Sequence, residues 1–279
     1  MNVLVTGNGR SGSWQVRGEQ LGRAIGATVL ANAIDIGPFD LAVAVKRPPA
    51  DLVRRIHEAD VPLVWDIVDA WPQPHGNDWS RDECMGWLRT MIRQVRPAGI
   101  VAATQAMAAD CAEFGVPVLA LPHHARPGLQ PAQIRPKVQC VGYEGGVQYI
   151  RHWGQAVAEE CAERRWAWMV NPDSLSECDI VVAVRDQHGY APRHWKSNVK
   201  LANAQAAGVP IICNREAGYT ETAAGGVLFA DDRHELTAAL NWLEPEATRA
   251  SYSRALLASA PKLDDIAATY LAWLRALKS

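Results

Sequence analysis

The stretch Trp195–Asp232, WKSNVKLANAQAAGVPIICNREAGYTETAAGGVLFADD, decides the fold. Lys196, Ser197 and Asn198 predict the first turn of a helix, where unsatisfied N–H groups and the positive helix end suit an anion. Lys200 falls one turn further on, on the same expected face as Lys196. The small residues Ala202, Ala204, Ala206 and Ala207 then run to Gly208, the expected helix stop. Val209–Cys213 reads as a buried strand, and Gly218 as a turn ahead of a helix carrying Glu221. Helix, strand and glycine turn in this succession are parts of a parallel α/β domain.

Outward from this stretch the same alternation fills the chain. VLVT, ATVLA, LAVAV, PLVWDIV, GIVAAT and PVLAL predict six strands before residue 122, and VQCVGYEGG, AWMVN, DIVVAV, GVPIICN and GGVLFA predict five after it. Between the sets lies LPHHARPGLQPAQIRPK, whose prolines forbid a regular helix or a central strand, so it reads as a linker. Two Rossmann-like domains are expected, at 1–128 and 129–262. A C-terminal helix over 263–279 is expected to pack back toward the first.

Composition narrows the class. The 279 residues carry a formal net charge of -2 with 21% charged residues, and no run of one sign marks the whole chain as a polyanion binder. Six cysteines are scattered without a CxxC pair, which suits a reducing compartment. The opening MNVLVTGNGR has too short an apolar run for a signal peptide, and no stretch approaches the ~18 apolar residues of a membrane span. The expected location is the cytoplasm.

The first strand leads into Gly7-Asn8-Gly9-Arg10-Ser11-Gly12-Ser13 and then a helix, a turn whose backbone amides suit an anion. Gly7, Gly9 and Gly12 satisfy the GxGxxG spacing of dinucleotide-binding proteins, with Asp35 as the matching acid. Gly7 and Gly12 have the glycine spacing of a Walker-A loop, but Ser13 and Trp14 follow where the phosphate-binding lysine is required. GRSGS also resembles the phosphosulfate loop of sulfotransferases. A plain strand-to-helix turn stays open beside these. The reading adopted places Gly9, Arg10, Ser11 and Gly12 at a ligand.

The decisive stretch resembles the C-terminal domain of retaining GT-B glycosyltransferases of family four. That family's pattern, roughly EAMAxGxPVI, GxxE, GxL and D…L..AL, appears here as NAQAAGVPII, GYTE, GGVLFADD and LTAAL. LPHHARPG resembles the end of the family's first domain, and VQCVGYEGG the strand and glycine loop where backbone approaches donor phosphates. AWMVN and DSLSECDIVVAV resemble strands beside the nucleobase pocket. The resemblance implies a GT-B-like fold, two Rossmann-like domains facing each other across a cleft. It implies a nucleotide-diphosphate sugar as co-substrate, UDP-sugar above all, with no resident cofactor and no metal. The implied reaction is transfer of a hexose to a hydroxyl acceptor with retention. The implied donor-binding residues are Gly145, Gly146, Lys196, Ser197, Asn198, Lys200, Asn203, Gly218, Tyr219, Thr220 and Glu221. Two departures stand out: the family's pair of glutamates falls on Trp195 and Asn203, and its arginine after the first strand of this domain is absent from Gly142 to Gly146. Arg151 and His152 are the nearest substitutes.

Glycosyl transfer needs a stabilised leaving diphosphate and an aimed acceptor hydroxyl. Asp66 and Asp69 stand at the end of a predicted strand, where open α/β sheets present ligands, and His75 follows in AWPQPHGNDW; these three are the candidate catalytic residues. Turn-capping aspartates are the alternative. Lys46 and Arg47 form a cationic tip at the same sheet end. In its small size the chain resembles phage and bacterial enzymes that decorate glycans or hydroxymethylated DNA bases. DNA as acceptor rests here on Arg10, Arg17, Arg23, Lys46 and Arg47. Competing readings are an NAD-dependent oxidoreductase using the GxGxxG loop, and a non-catalytic nucleotide-sugar-binding protein.

Overall fold

The computed structural model describes residues 1–186 and 188–278. It divides into two compact units, one of Met1–His123, His188–Ser197 and Lys262–Ser279, the other of His124–Gln187 and Asn198–Pro261.

The first unit is built on six parallel strands: β1 (Val3–Gly7), β2 (Thr28–Ala31), β3 (Leu41–Val45), β4 (Leu63–Val68), β5 (Gly99–Ala102) and β6 (Val118–Ala120). Their order is β2-β1-β3-β4-β5-β6. Alternation sorts the side chains onto two faces. Leu4, Ala42, Ala44, Leu63, Trp65, Ile67, Ile100 and Ala102 pack against helices Ala50–Glu58, Arg81–Val95 and Gln105–Cys111. Val3, Val5, Val43, Val45, Val64, Val68 and Val101 meet Trp14, Leu21, Tyr270 and Leu274 from the opposite side. Burial on both faces explains why the central strands β1, β3, β4 and β5 read as continuous apolar runs. Tyr270 and Leu274 belong to the C-terminal helix Leu263–Ala276, which is part of this unit.

The second unit carries β7 (Cys140–Tyr143), β8 (Ala167–Val170), β9 (Ile180–Ala183), β10 (Ile211–Cys213) and β11 (Val227–Phe229), all parallel, in the order β11-β10-β9-β7-β8. Helices Arg151–Arg164 and Arg233–Leu243 cover one face, and Val199–Ala207 with Glu246–Ala258 the other. No helix or strand occurs in the proline-rich segment between β6 and β7.

In both sheets the chain moves one way from the first strand and then reverses, so neighbouring loops diverge at the carboxyl ends of β1 and β3, and of β7 and β9. Open α/β sheets bind ligands at such switch points. The units differ from the expected domains in two respects. The first break falls after His123, and residues 188–197 return to the first unit.

Candidate functional site

In the second unit β7 ends at Tyr143 and runs into Glu144-Gly145-Gly146. Gly145 has φ +144, a conformation that favours glycine, and Lys200 Nζ stands 2.9 Å from where a Cβ would lie. Asn171, directly after β8 with φ +54, clamps the loop: its Oδ1 accepts from Gly145 N at 2.7 Å and its Nδ2 donates to Gly145 O at 3.0 Å. Lys200 lies in the first turn of Val199–Ala207, with its ammonium 4.0 Å from the Tyr143 ring centre. A lysine, a helix start and a glycine loop thus converge at the switch point, an arrangement suited to a diphosphate.

The same loop supplies a carboxylate. Glu144 Oε1 lies 2.8 Å from Arg126 Nη1, and Glu144 Oε2 accepts from Asn203 Nδ2 at 2.9 Å. Asn203 Oδ1 accepts from Arg126 N at 2.9 Å, which fixes the amide's orientation, since that N–H can only donate. On the β9 side Arg185 N donates to Asn214 Oδ1 at 2.6 Å. The Arg185 guanidinium meets Glu216 Oε1 at 2.6 Å and Tyr219 OH at 3.4 Å, all in a buried setting. Glu144, Arg126, Arg185 and Glu216 escaped the sequence reading. The signal for Arg185 was present: a cation directly after the buried run IVVAV marks a strand's carboxyl end.

The expected donor residues divide. Gly218 and Tyr219 are buried inside the short helix Ala217–Thr220, while Thr220 and Glu221 are exposed. The turn expected at Gly218 is therefore helical, and the buried carboxylate of this region is Glu216 rather than Glu221. Arg151 is exposed, and His152 Nδ1 pairs with Asp186 Oδ1 at 2.5 Å.

Lys196 corrects the helix expected from residue 195. That helix starts at Val199 with Asn198 as its cap, and Lys196 and Ser197 belong to the first unit. The cause is Trp195, fully buried in the first unit's core against Trp87, with Nε1 donating to Asp110 Oδ2 at 2.8 Å. Asp110 also accepts from Tyr190 OH at 2.9 Å and Arg81 Nη2 at 2.7 Å, while Thr104 OH donates to His194 O at 2.6 Å. Trp195 thus anchors a segment instead of facing a donor.

Lys196 instead joins the carboxyl ends of β3 and β4. Lys46, just after β3, has φ +64; Val68, closing β4 at a register shift, has φ +54. A β-branched residue in that region costs about 1–3 kcal/mol. Asp69, next in the chain, stands between Lys46 Nζ at 2.7 Å and Lys196 Nζ at 2.5 Å. Lys46 Nζ also donates to Ser13 Oγ at 3.2 Å, and Lys196 lies 5.3 Å from the Trp71 ring centre. Burial alone would raise the Asp69 pKa, but the two ammonium groups and their hydrogen bonds hold it far below the usual carboxylate range. A carboxylate so held is a poor proton acceptor, so of the two roles open to this candidate, orienting or deprotonating an acceptor hydroxyl, the geometry suits the first.

Asp66 departs from expectation as well. It points to the Trp14 and Tyr270 side of the sheet, fully buried, with Oδ2 3.6 Å from Arg17 Nε. Burial pushes its pKa up against the pull of Arg17 and the Val68 N–H. His75 is exposed on the turn His75–Asp78, its ring edge-on to Trp79 at 5.5 Å.

In the first glycine loop, Gly9 has φ +78 and a Cβ there would meet Ala31 Cβ at 2.5 Å, whereas a Cβ on Gly12 meets nothing within 4 Å. The third glycine of a dinucleotide loop serves close helix packing, and Gly12 has none to serve. Ser11 Oγ accepts from Trp14 N at 3.2 Å at the start of the helical segment, and Arg10 is exposed. Of the basic residues grouped for DNA, Arg10, Arg23 and Arg47 are exposed, and the other two are engaged inside the protein. Arg17 is buried, Lys46 is paired, and Arg47 donates to Ala70 O at 2.8 Å and to Trp71 O.

No family model matches the chain, and no curated protein matches it. Among solved structures, HepE from Anabaena in complex with UDP and glucose superposes with a TM-score of 0.69 at 12% identity, over 99% of this chain and 100% of that one. Sucrose-phosphate synthase from Thermosynechococcus elongatus reaches 0.69 at 10% identity over 99% of each chain. The lipopolysaccharide outer core galactosyltransferase WaaB reaches 0.59 at 10% identity, over 99% and 100%. The fold is GT-B. At these identities the likeness establishes the architecture of two Rossmann-like units and nothing of the chemistry. Among the described residues no cluster of three His, Cys, Asp or Glu could hold a metal, and no helix is long and apolar enough to cross a membrane. All six cysteines are free and buried.

Proposed function

We propose that this protein is a glycosyltransferase that moves a hexose from a nucleotide-diphosphate sugar, UDP-sugar above all, to a hydroxyl acceptor. The observation that carries the reading is the meeting of Gly145, Gly146 and Lys200 with the start of Val199–Ala207 at the switch point of a GT-B unit. The leaving diphosphate takes its counter-charge from Lys200, the helix end and the loop amides, with no metal in the reaction. Asn198 stands immediately before that helix start, and Glu144 with Asn203 receives donor hydroxyls in place of the family's helix-borne glutamate. Tyr219 backs the site through Arg185, and Gly218 precedes it in the same short helix. Thr220 and Glu221, though exposed, stay in the donor set. HepE, whose structure holds UDP and glucose, supports this reading by its fold. Retention is taken from the family resemblance, and a glycan is the acceptor class we favour over DNA, since Arg17 is buried and Lys46 is paired with Asp69.

A thermal-shift screen over nucleoside diphosphates, their sugars and nicotinamide cofactors tests the proposal. Stabilisation by UDP or another nucleoside diphosphate is expected, and stabilisation by NAD alone would favour the oxidoreductase. Binding without any hydrolysis or transfer across a broad donor panel would reduce the protein to a non-catalytic binder.

A further inference from the structure

We propose that Cys140 and Cys178 in the second unit form an oxidation site, where hydrogen peroxide converts the two thiols into a disulfide that braces the starts of β7 and β9. The inference stands on the geometry of this unit alone and does not depend on the glycosyltransferase reading.

Cys140 opens β7, and Cys178 stands just before β9, the strand paired with β7 in the sheet. Both side chains enter the same buried cluster, on the face covered by Val199–Ala207 and Glu246–Ala258. Their thiols share a hydrogen bond. Cys140 Sγ also lies 3.0 Å from Glu177 O, the carbonyl next to Cys178, and a Cβ on Gly142 would stand 2.3 Å from Cys178 Sγ. The bare backbone at Gly142 is what lets the Cys178 sulfur lie along β7 beside Cys140.

This pair differs from the other four cysteines. Hydrogen bonds from the Cys178 thiol and the Asp179 N–H hold the Cys140 thiol below its ordinary pKa against the effect of burial, whereas burial pushes Cys84, Cys111, Cys161 and Cys213 above theirs. The thiolate is the form that attacks peroxide, and a second thiol in contact resolves the product. In the first step the Cys140 sulfur takes one peroxide oxygen, the O–O bond breaks, and the other oxygen leaves as water, giving a sulfenic acid. The Cys178 sulfur then attacks the Cys140 sulfur, the S–O bond breaks, and a second water leaves. Two thiols are oxidised and one peroxide is reduced. Over the pair lies Arg135, whose Nη1 donates to Glu177 O at 3.1 Å and to Asp179 Oδ2 at 3.0 Å, and residues 131–139 around it form no helix or strand. Such a segment opens locally without global unfolding and admits a molecule little larger than water.

The test treats the wild-type protein, Cys140→Ser and Cys178→Ser with a small molar excess of hydrogen peroxide, blocks the remaining thiols in denaturant, and maps the peptides by mass spectrometry without reduction. Melting temperatures are read before oxidation, after it, and after dithiothreitol. Wild type is expected to lose two of its six thiols to a Cys140–Cys178 bond, to melt about 5 °C higher, and to return to its starting value on reduction, while neither variant gains the shift. Six intact thiols, a bond to Cys161 or any other cysteine, sulfinic acid at Cys140 in place of a bond, or a Cys140–Cys178 bond that leaves the melting temperature unchanged or lower overturns the proposal. The wild-type map decides even where a serine variant fails to fold.

Discussion

Asn203 Nδ2 donates to Glu144 Oε2 at 2.9 Å. The amide stands where the resembling family carries a glutamate, and the carboxylate comes from the loop after β7 instead. If Glu144 receives donor hydroxyls, Glu144→Ala should weaken UDP-glucose binding by about ten- to a hundredfold, the range of hydrogen bonds to a charged group. Titration calorimetry measures this, and unchanged affinity removes Glu144 from the site. Asn203→Asp, which sets two carboxylates side by side, should lower stability at neutral pH and recover it as acid protonates one of them.

Trp195 holds the 188–197 segment in the first unit through its ring and through Asp110. Trp195→Ala should destabilise by about 3–5 kcal/mol. Trp195→Phe, which keeps the ring and leaves Asp110 with Tyr190 and Arg81, should cost about 1 kcal/mol. Chemical denaturation reads both, and equal costs would mean that the indole N–H rather than the packing carries the anchor.

The low pKa of Asp69 makes a pH prediction. The folded state binds its proton more weakly than the unfolded chain, where the value lies near 3.8, so the stability it adds is present above that pH and lost as pH falls below it. Asp69→Asn should lose stability at pH 6 while losing much of the wild-type dependence between about pH 4 and pH 2. Parallel melting curves for the two proteins across that range would contradict the assignment.

Arg17 and Asp66 are buried together beside the fully buried Tyr270. Asp66→Ala, which strands the guanidinium, should cost about 3–5 kcal/mol, and the apolar pair Arg17→Met with Asp66→Leu should recover most of it. Denaturation midpoints decide. A silent Asp66→Ala would show that the pair is not structural.

Much of this architecture was legible in the sequence. Each of the eleven apolar runs read as a strand became one; the central strands are continuously apolar because both their faces are buried, while the edge strands Thr28–Ala31 and Ala167–Val170 kept apolar runs despite largely exposed positions. The placement of Gly145 after a strand and of Lys200 in the first turn of a helix was legible for a related reason, since glycine and polar residues mark carboxyl-end loops. Lys196 was misplaced because Trp195 and Lys200 look contiguous in helical spacing, whereas the indole's burial against Asp110, 85 residues away, breaks the helix. Glu144 was passed over because its partners, Arg126 and Asn203, are distant in sequence. Asp66 and Asp69, two strand-end aspartates alike on paper, diverge because β4 twists out of register at Val68 and sends them to different surroundings.

The most direct test of the account is UDP affinity in the wild-type protein and in Lys200→Ala, measured by titration calorimetry with the variant's fold checked. The account expects the wild type to bind UDP and the variant to bind it at least tenfold more weakly, with NAD bound by neither. UDP affinity unchanged in Lys200→Ala, or NAD bound where UDP is not, would contradict it.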